Sequence, residues 1–416
     1  MEIFKELLND CKISNTDFLK INNEINQILL NLKKSIKNNK INANPVLGGS
    51  SAKGTILKGD FDCDIFVKFN YSYKKDDISK SLENIMKSMK NKFVKVHGSR
   101  DYFQFENKGI TYEIIPVLDI KNPSDALNVT DMSPLHVGWI KKKINKNPKI
   151  IDEIIITKKF CKSQRLYGAE SYIGGFSGHV IDILVVYYGS FQKLLENAIN
   201  WQKYKIIDVE NYNSSNDLNK SKISPLIIID PVDESRNAAA ALSIEKFNNF
   251  RKVAKLFIDN PSLKFFNKKE INIDQLKKKA NKNTLITINL EALEGKIDVV
   301  GGKLLKTYKY ILNRLNFFDF IIIDSGWDWN KFDPAIMWFI IDSKKLSKEK
   351  ERIGPQEQDH FSVEAFKLKH KKCYIKDKRV CSMIKRKYII PEKLIKDLVK
   401  FDYIKERTLK TKVYIV

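Results

Sequence analysis

Asp60, Asp62 and Asp64 occupy every second position of DFDCDIFV. On an extended strand, where side chains alternate between faces, these three carboxylates stand together. Phe61, Cys63 and Ile65 take the other face, toward a core. Gathered carboxylates repel one another unless cations neutralise them. Mg²⁺ suits the task because it takes hard oxygen ligands and leaves positions for substrate phosphates. Two such ions about 4 Å apart can activate an attacking hydroxyl and stabilise a departing pyrophosphate. The competing reading is an exposed, charged strand face with no ligand. A site of this kind needs a further carboxylate from a neighbouring strand, and Glu113 in TYEIIP is the candidate. Tyr112 and Ile114 would then face the core, with Pro116 marking the strand's end or edge. Upstream, Gly48 and Gly49 of GGSSAKG permit a tight turn and close approach to a ligand. Ser50 and Ser51 stand at a helix start, where hydroxyls and free N–H groups bind phosphate.

These side chains need a sheet to hold them. Residues 44–69 read as strand, Gly/Ser turn, short helix and strand, preceded by one or two helices over 1–40. A charged stretch from Tyr73 to Lys92 reads as a surface helix. Residues 93–120 give two or three strands, with Lys108-Gly109 as a turn. Together they predict a compact domain of mixed sheet and helices ending near residue 140. Residues 143–205 are mainly helical, interrupted by YIGGFSGHV, and 206–222 form a polar loop. A strand in ISPLIIIDPVD precedes a helix from about Ala238 to Asp259. Residues 283–302 read as strands and turns, followed by a helix from Leu304 to Phe317 and an aromatic strand run ending near Asp342. Most of that run reads as core, with Trp327 and Trp329 as exceptions whose polar neighbours predict exposure. Gly354-Pro355 opens a last module with a basic tail. The fold class expected is a multidomain α+β protein.

The whole chain, 416 residues, carries 74 Lys plus Arg against 50 Asp plus Glu, a formal net charge of +24. This favours a polyanionic partner such as nucleic acid, or an anionic membrane surface, although the abundance of Lys, Asn and Ile also fits coding bias. Residues 361–416 alone hold 17 basic and 6 acidic residues. Lys369, Lys371, Lys372, Lys376, Lys378 and Arg379 are the candidate nucleic-acid contacts there, interleaved with apolar side chains that suit phosphate contact with occasional stacking. A solvated basic face is the alternative. Five scattered cysteines without a CxxC pair argue against a disulfide framework or a thiolate zinc site, and fit a reducing compartment. No apolar run reaches membrane-spanning length, so a cytoplasmic protein is expected.

Gly49-Ser50 followed by Asp62-x-Asp64 resembles the polymerase-β-type nucleotidyltransferase signature. The longer blocks SPLHVGWI (133–140), LYGAESYIGGFSGHVIDILVVYYGSF (166–191), IIDPVDESRNAAAALS (228–243) and NPSLKFF (260–266) resemble the archaeal-type, class I CCA-adding tRNA nucleotidyltransferases. IGPQ and VEAF, within 353–366, resemble the start of that family's last segment. The resemblance implies a Mg²⁺-dependent enzyme with two ions. It would use CTP and ATP to rebuild the CCA 3′ end of tRNA without a nucleic-acid template. It also implies a nucleotidyltransferase head (1–142), a helical neck (143–262), a body and tail region (263–352) and a basic C-terminal RNA-binding module (353–416), the tRNA acceptor stem and TΨC arm lying along them. A homodimer is left open.

Carried over by position, the resemblance makes Asp62 and Asp64 the metal-binding carboxylates. Glu113 takes the place of a third that is commonly Asp, the extra methylene moving the carboxylate by roughly 1 Å. Asp60 is not a catalytic position of that family. Ser50 lies beside the incoming triphosphate, next to Gly49, and Lys53 takes a commonly basic position. His136, Lys158 and Tyr167 match triphosphate-binding residues, which a His N–H, a Lys charge and a Tyr hydroxyl can all serve. Without the resemblance these three read as a loop histidine, a surface lysine and a packing tyrosine. Arg236 matches an arginine that reads the incoming base, with Asp233 holding its fork in place. Gly174 and Gly175 either admit a tRNA backbone or another domain closely, or form a plain tight turn. A poly(A) polymerase or oligoadenylate synthetase relative, an enzyme adding only the final A, and an inactive RNA-binding protein are the rival functions.

Overall fold

The computed structural model describes residues 2–89, 92–268 and 271–415. The chain divides into two compact units, residues 1–269 and 270–416. In the first, α1 (Glu2–Cys11) and α2 (Asn15–Asn38) lead into β1 (Ala43–Leu47), α3 (Gly49–Lys53) and β2 (Asp62–Phe69). Then come α4 (Ile78–Ser88), β3 (Val94–Val96), β4 (Tyr102–Asn107) and β5 (Ile110–Leu118). The five strands form one sheet in the order β1-β2-β5-β4-β3, with β2 and β5 parallel at its centre.

Alternation decides which face each residue takes. Cys63, Ile65, Tyr112 and Ile114 are buried on the side covered by α2 and α4, whose Ile25, Leu32, Leu82 and Ile85 complete that core. Asp62, Asp64 and Glu113 are left on the opposite face. The stretch expected as a surface helix is half-buried instead. Its apolar residues Ile78, Leu82, Ile85 and Met86 fall on one side of α4, a stripe masked in the sequence by the intervening charges. Pro116 lies inside β5, beyond the β4 pairing, which stops at Ile114. A missing N–H therefore costs nothing on that side. Lys108 and Gly109, both at positive φ, make the expected turn.

The rest of the first unit is helical: α5 (Ser133–Lys146), α6 (Ile150–Ser163), α7 (Gly178–Tyr188) and α8 (Phe191–Ala198). The short parallel pair β6 (Lys205–Ile207) and β7 (Leu226–Ile228) and then α9 (Ile244–Asp259) follow. Phe160, Phe191, Phe250, Phe257 and Phe266 meet in the core of this part, which also takes Leu7 and Cys11 from α1. The last helix begins at Ile244 rather than Ala238. Asn237 spends its side-chain carbonyl on the N–H groups of Ile228 and Ala239, and Ser243 caps the helix through Lys246 N–H.

The second unit contains α10 (Ile273–Ala280), β8 (Thr284–Glu291), α11 (Ile297–Phe317), β9 (Ile322–Asp328) and β10 (Ala335–Ile341). It continues with β11 (Glu349–Gln356), α12 (His360–Lys369), β12 (Cys373–Lys376), β13 (Arg379–Lys385), α13 (Pro391–Leu398), α14 (Asp402–Lys405) and β14 (Lys410–Ile415). One sheet runs β14-β8-β10-β9 and another β11-β13-β12. The helix expected from Leu304 starts at Ile297. Gly354-Pro355 lies within β11 rather than opening a module; a side chain at Gly354 would stand 2.6 Å from the Val380 carbonyl on the next strand. Trp327 and Trp329 are half-buried against the core of this unit, whereas Phe332 is 92% exposed. All five cysteines are free thiols. No helix among the described residues is long and apolar enough to cross a membrane.

Candidate active site

The turn from β1 into α3 is built on glycine for a measurable reason. Gly49 sits at φ +52°, and a Cβ there would fall 1.7 Å from Asp64 Oδ2. Gly48 lies against the Phe66 ring, and its N–H donates to the Asp64 carbonyl at 2.7 Å. The glycine turn and the Asp64 carboxylate therefore occupy adjoining space that a side chain would take away. Across the sheet, the parallel register sets Asp64 directly beside Glu113 and Asp62 beside Thr111. Ser51, expected to face a phosphate, is buried and donates to the Asp62 carbonyl at 3.3 Å. Ser50 keeps the outward position.

These residues open onto a cavity of about 330 Å³. Gly49, Ser50, Lys53, Asp60, Asp62, Asp64 and Glu113 line one side, and Lys158, Lys162, Tyr167, Gly178, His179 and Asp182 line the other. Lys53 Nζ meets the buried Asp182 at 2.6 Å. Lys158, in α6, is buried and donates to the Thr55 carbonyl at 2.9 Å. Burial pulls its ammonium pKa down to about 8, against the opposing pull of Asp182. Lys162, one turn further on α6, pairs with Asp60 and lies 4.9 Å from the Tyr167 ring centre. Burial pushes the Tyr167 hydroxyl upward, so it stays protonated as a donor.

Five carboxylates and three lysines line this cavity, leaving it short of two positive charges. Burial raises the Asp64 pKa, Asp62 adds to the effect, and Lys53 and Lys158 oppose it. A hard divalent cation fits this donor set. It would supply the missing charge and keep Asp64 ionised.

Of the residues expected from sequence, Gly49, Ser50, Lys53, Asp62, Asp64, Glu113, Lys158 and Tyr167 line this one cavity. Lys158 is not at the surface. His136 and Arg236 do not line it; both bind the buried Asp230. His136 Nε2 lies 3.0 Å and Arg236 Nη1 2.8 Å from Asp230 Oδ2. Burial draws the His136 pKa down to about 4. Asp233 does not hold the Arg236 fork. Its carboxylate accepts from Ser235 N–H and hydroxyl, closing a local turn, while Asp230 takes the guanidinium. Gly174 and Gly175 are buried and cannot touch RNA as placed. A Cβ on Gly175 would lie 2.3 Å from the Leu166 carbonyl, so the close neighbour is the chain's own backbone. Lys369, Lys371, Lys372, Lys376, Lys378 and Arg379 are all exposed.

Lys162, His179, Asp182 and Asp230 were not among the residues expected from sequence. Lys162 stands four residues after Lys158, so helical spacing gave a usable signal for it. Asp230 gave none, because its partners come from residues 136, 179 and 236.

Three family models match successive parts of the chain. The Second Messenger Oligonucleotide or Dinucleotide Synthetase domain matches residues 1–143. The second domain of tRNA nucleotidyltransferase matches 152–267, and the C-terminal domain of the CCA-adding enzyme matches 282–406. The CCA-adding enzyme of Nanoarchaeum equitans is 34% identical over 353 residues, covering 83% of this chain and 84% of that protein. That of Methanocaldococcus jannaschii is 29% identical over 409 residues, 96% of this chain and 90% of that protein. A solved structure of Cid1, described for its RNA terminal uridylyl transferase activity, superposes with a TM-score of 0.53. It shares 13% identity and covers 65% of this chain and 98% of its own, which shows a common fold. With a glycine turn, paired carboxylates and relatives that align along nearly its whole length, the chain belongs to the CCA-adding enzyme family of tRNA nucleotidyltransferases.

Proposed function

We propose that this chain adds C, C and A to the 3′ end of tRNA, using CTP and ATP and releasing pyrophosphate at each step. The observation that carries the reading is the side-by-side register of Asp64 and Glu113, with Asp62 two residues before Asp64 and Gly49 closing over it. Asp62, Asp64 and Glu113 would hold two Mg²⁺ ions. Bound there, the ions supply Lewis-acid charge for the attacking 3′-hydroxyl and the leaving pyrophosphate.

The chain's own part is to bind and orient. Ser50, Lys53, Lys158 and Tyr167 supply a hydroxyl, two ammonium groups and a phenol around one cavity, a donor set matched to a triphosphate. Lys162 adds a third ammonium. Held there, the α-phosphorus of CTP or ATP lies in line for the tRNA 3′-hydroxyl, and catalysis is mostly positioning and charge neutralisation. Arg236 and His136 contact the nucleotide from the Asp230 cluster. Residues 1–142 form the catalytic head and 143–262 the neck. Residues 263–352 and 353–416 hold the acceptor stem and TΨC arm, the exposed basic stretch 369–379 gripping phosphates by charge.

The test is to incubate the protein with Mg²⁺ and tRNAs ending before CCA, after C and after CC, giving CTP and ATP separately and together. Two C additions followed by one A, in that order, are expected. A long A tail, or incorporation of A alone, would sink the reading.

A further inference from the structure

One carboxylate outside the catalytic cavity, that of Asp230, gathers a guanidinium and two imidazoles. Asp230 follows β7 and is fully buried. Its loop is already closed by backbone: Asp230 N–H donates to the Arg236 carbonyl at 3.0 Å, and Ile229 bridges Asn237. Asn237 then pins both sides through Ile228, Ala239, Lys222 and Ser224. Beyond an Oδ1 contact with Val232 N–H at 3.1 Å, the Asp230 carboxylate is hydrogen-bonded by two side chains from two elements and faces a third, His179 of α7, whose buried Nε2 makes no hydrogen bond among the described residues. Arg236 Nη1 comes from the loop itself at 2.8 Å, His136 Nε2 from α5 at 3.0 Å and His179 Nε2 from α7 at 3.6 Å, all measured to Oδ2. The two imidazole rings lie 3.9 Å apart, centre to centre.

The chemistry of the cluster restricts what it can do. His136, neutral at pH 7, donates through Nε2 and keeps Nδ1 as an acceptor. Burial alone would raise the Asp230 pKa. The hydrogen bond from His136 and the proximity of His179 more than offset it and hold the group ionised. Arg236 spends one N–H on Asp230 and is 32% exposed, which leaves the other donors of its fork accessible. The ligand atoms of His136, His179 and Asp230 lie within 4.8 Å of one another, as in a metal site. Against a cation, the Asp230 oxygen nearest both imidazoles already accepts from a guanidinium. His179 also lines the catalytic cavity, so the cluster adjoins it.

We propose that Asp230 is a positioning residue for nucleotide recognition, fixing the Arg236 fork and the His136 ring against α7 so that both meet the incoming nucleotide in one geometry. The inference rests on the reading of Arg236 as a nucleotide contact. A buried, charged hydrogen bond to a guanidinium sets the direction of the fork as well as its place.

The experiment measures nucleotide KM and kcat with tRNA ending in CC for wild type, Arg236→Ala, Asp230→Asn and the double variant. Asp230→Asn is expected to raise the nucleotide KM about tenfold with kcat largely kept, and by clearly less in the Arg236→Ala background, where only the His136 contribution is left to lose. If Arg236→Ala itself leaves KM unchanged, the nucleotide-contact reading fails. If Arg236→Ala raises KM and folded Asp230→Asn does not, or if the two effects multiply, the positioning role is overturned. Should Asp230→Asn not fold, Asp230→Glu, which keeps the charge and moves it by one methylene, is expected to raise KM about threefold, and an unchanged KM overturns the proposal. One equivalent of zinc retained by the wild type and lost in Asp230→Asn would overturn it in favour of a metal centre.

Discussion

The cavity of the first unit and the basic stretch 369–379 of the second hold their charge in opposite ways. In the cavity, Lys53 is fixed on Asp182, Lys158 on the Thr55 carbonyl and Lys162 on Asp60, and the first two are buried or nearly so. In the basic stretch all six cationic side chains are exposed. Lys376 meets Glu351 at 2.9 Å and Arg379 donates to the Gly354 carbonyl, both in open solvent. Exposed ion pairs hold long side chains weakly. The difference teaches that the first region acts through placement, where a shift of one ångström matters, and the second through the sum of its charge, where no single residue does.

The largest effect is expected at the carboxylates. Asp64→Asn removes a charge from a group in register with Glu113, and nucleotide incorporation is expected to fall by about a thousandfold or more with circular dichroism unchanged. Activity within tenfold of wild type would mean that placement here is not what matters. Gly49→Ala tests placement without touching charge. The new methyl group must displace the Asp64 carboxylate, so a loss of about a hundredfold in kcat/KM is expected, and a mild effect would show that the turn is slack.

Lys158 makes the cavity sensitive to pH. Its ammonium loses its proton as pH rises through about 8, so kcat/KM for nucleotide should fall about tenfold per pH unit above that point. Lys158→Met should lower the plateau and flatten that limb. The sign for stability is opposite. Folding lowers this pKa from the usual 10.5, so the protonated group destabilises the fold fully below about 8, and that penalty is relieved between about 8 and 10.5. A thermal midpoint that falls over this window specifically because of Lys158 would contradict the burial. The smallest effect is expected in the second unit. Lys371→Ala, Lys372→Ala and Lys378→Ala together should raise tRNA KM a few fold and flatten its salt dependence by about two ions, with nucleotide KM unchanged. A large loss from any one of them would make this region a placed site as well.

Much of this molecule follows from local pattern. Alternation in DFDCDIFV and TYEIIP put Asp62, Asp64 and Glu113 on one face and Cys63, Ile65, Tyr112 and Ile114 on the other, because period two is a property of any strand. The glycine pair was legible as a close approach, although what approaches, the Asp64 carboxylate itself, was not. Gly175 looked the same in sequence and proved to be packed on its own chain.

Strand faces and turn chemistry followed from residue order, because they depend on neighbours a few residues apart, and the excess of positive charge followed from composition. Only the tertiary structure decided that Lys158 is buried, that Lys162 and Asp182 enter the cavity, and that Arg236 turns to Asp230 rather than to Asp233. The cavity pairings are set by helices and strands packing across gaps of up to 129 residues, as between Lys53 and Asp182, while Arg236 meets Asp230, six residues away, at a place where His136 arrives from 94 residues away. A side chain's partner at that range depends on how whole elements bury their apolar faces, which no short window of sequence contains.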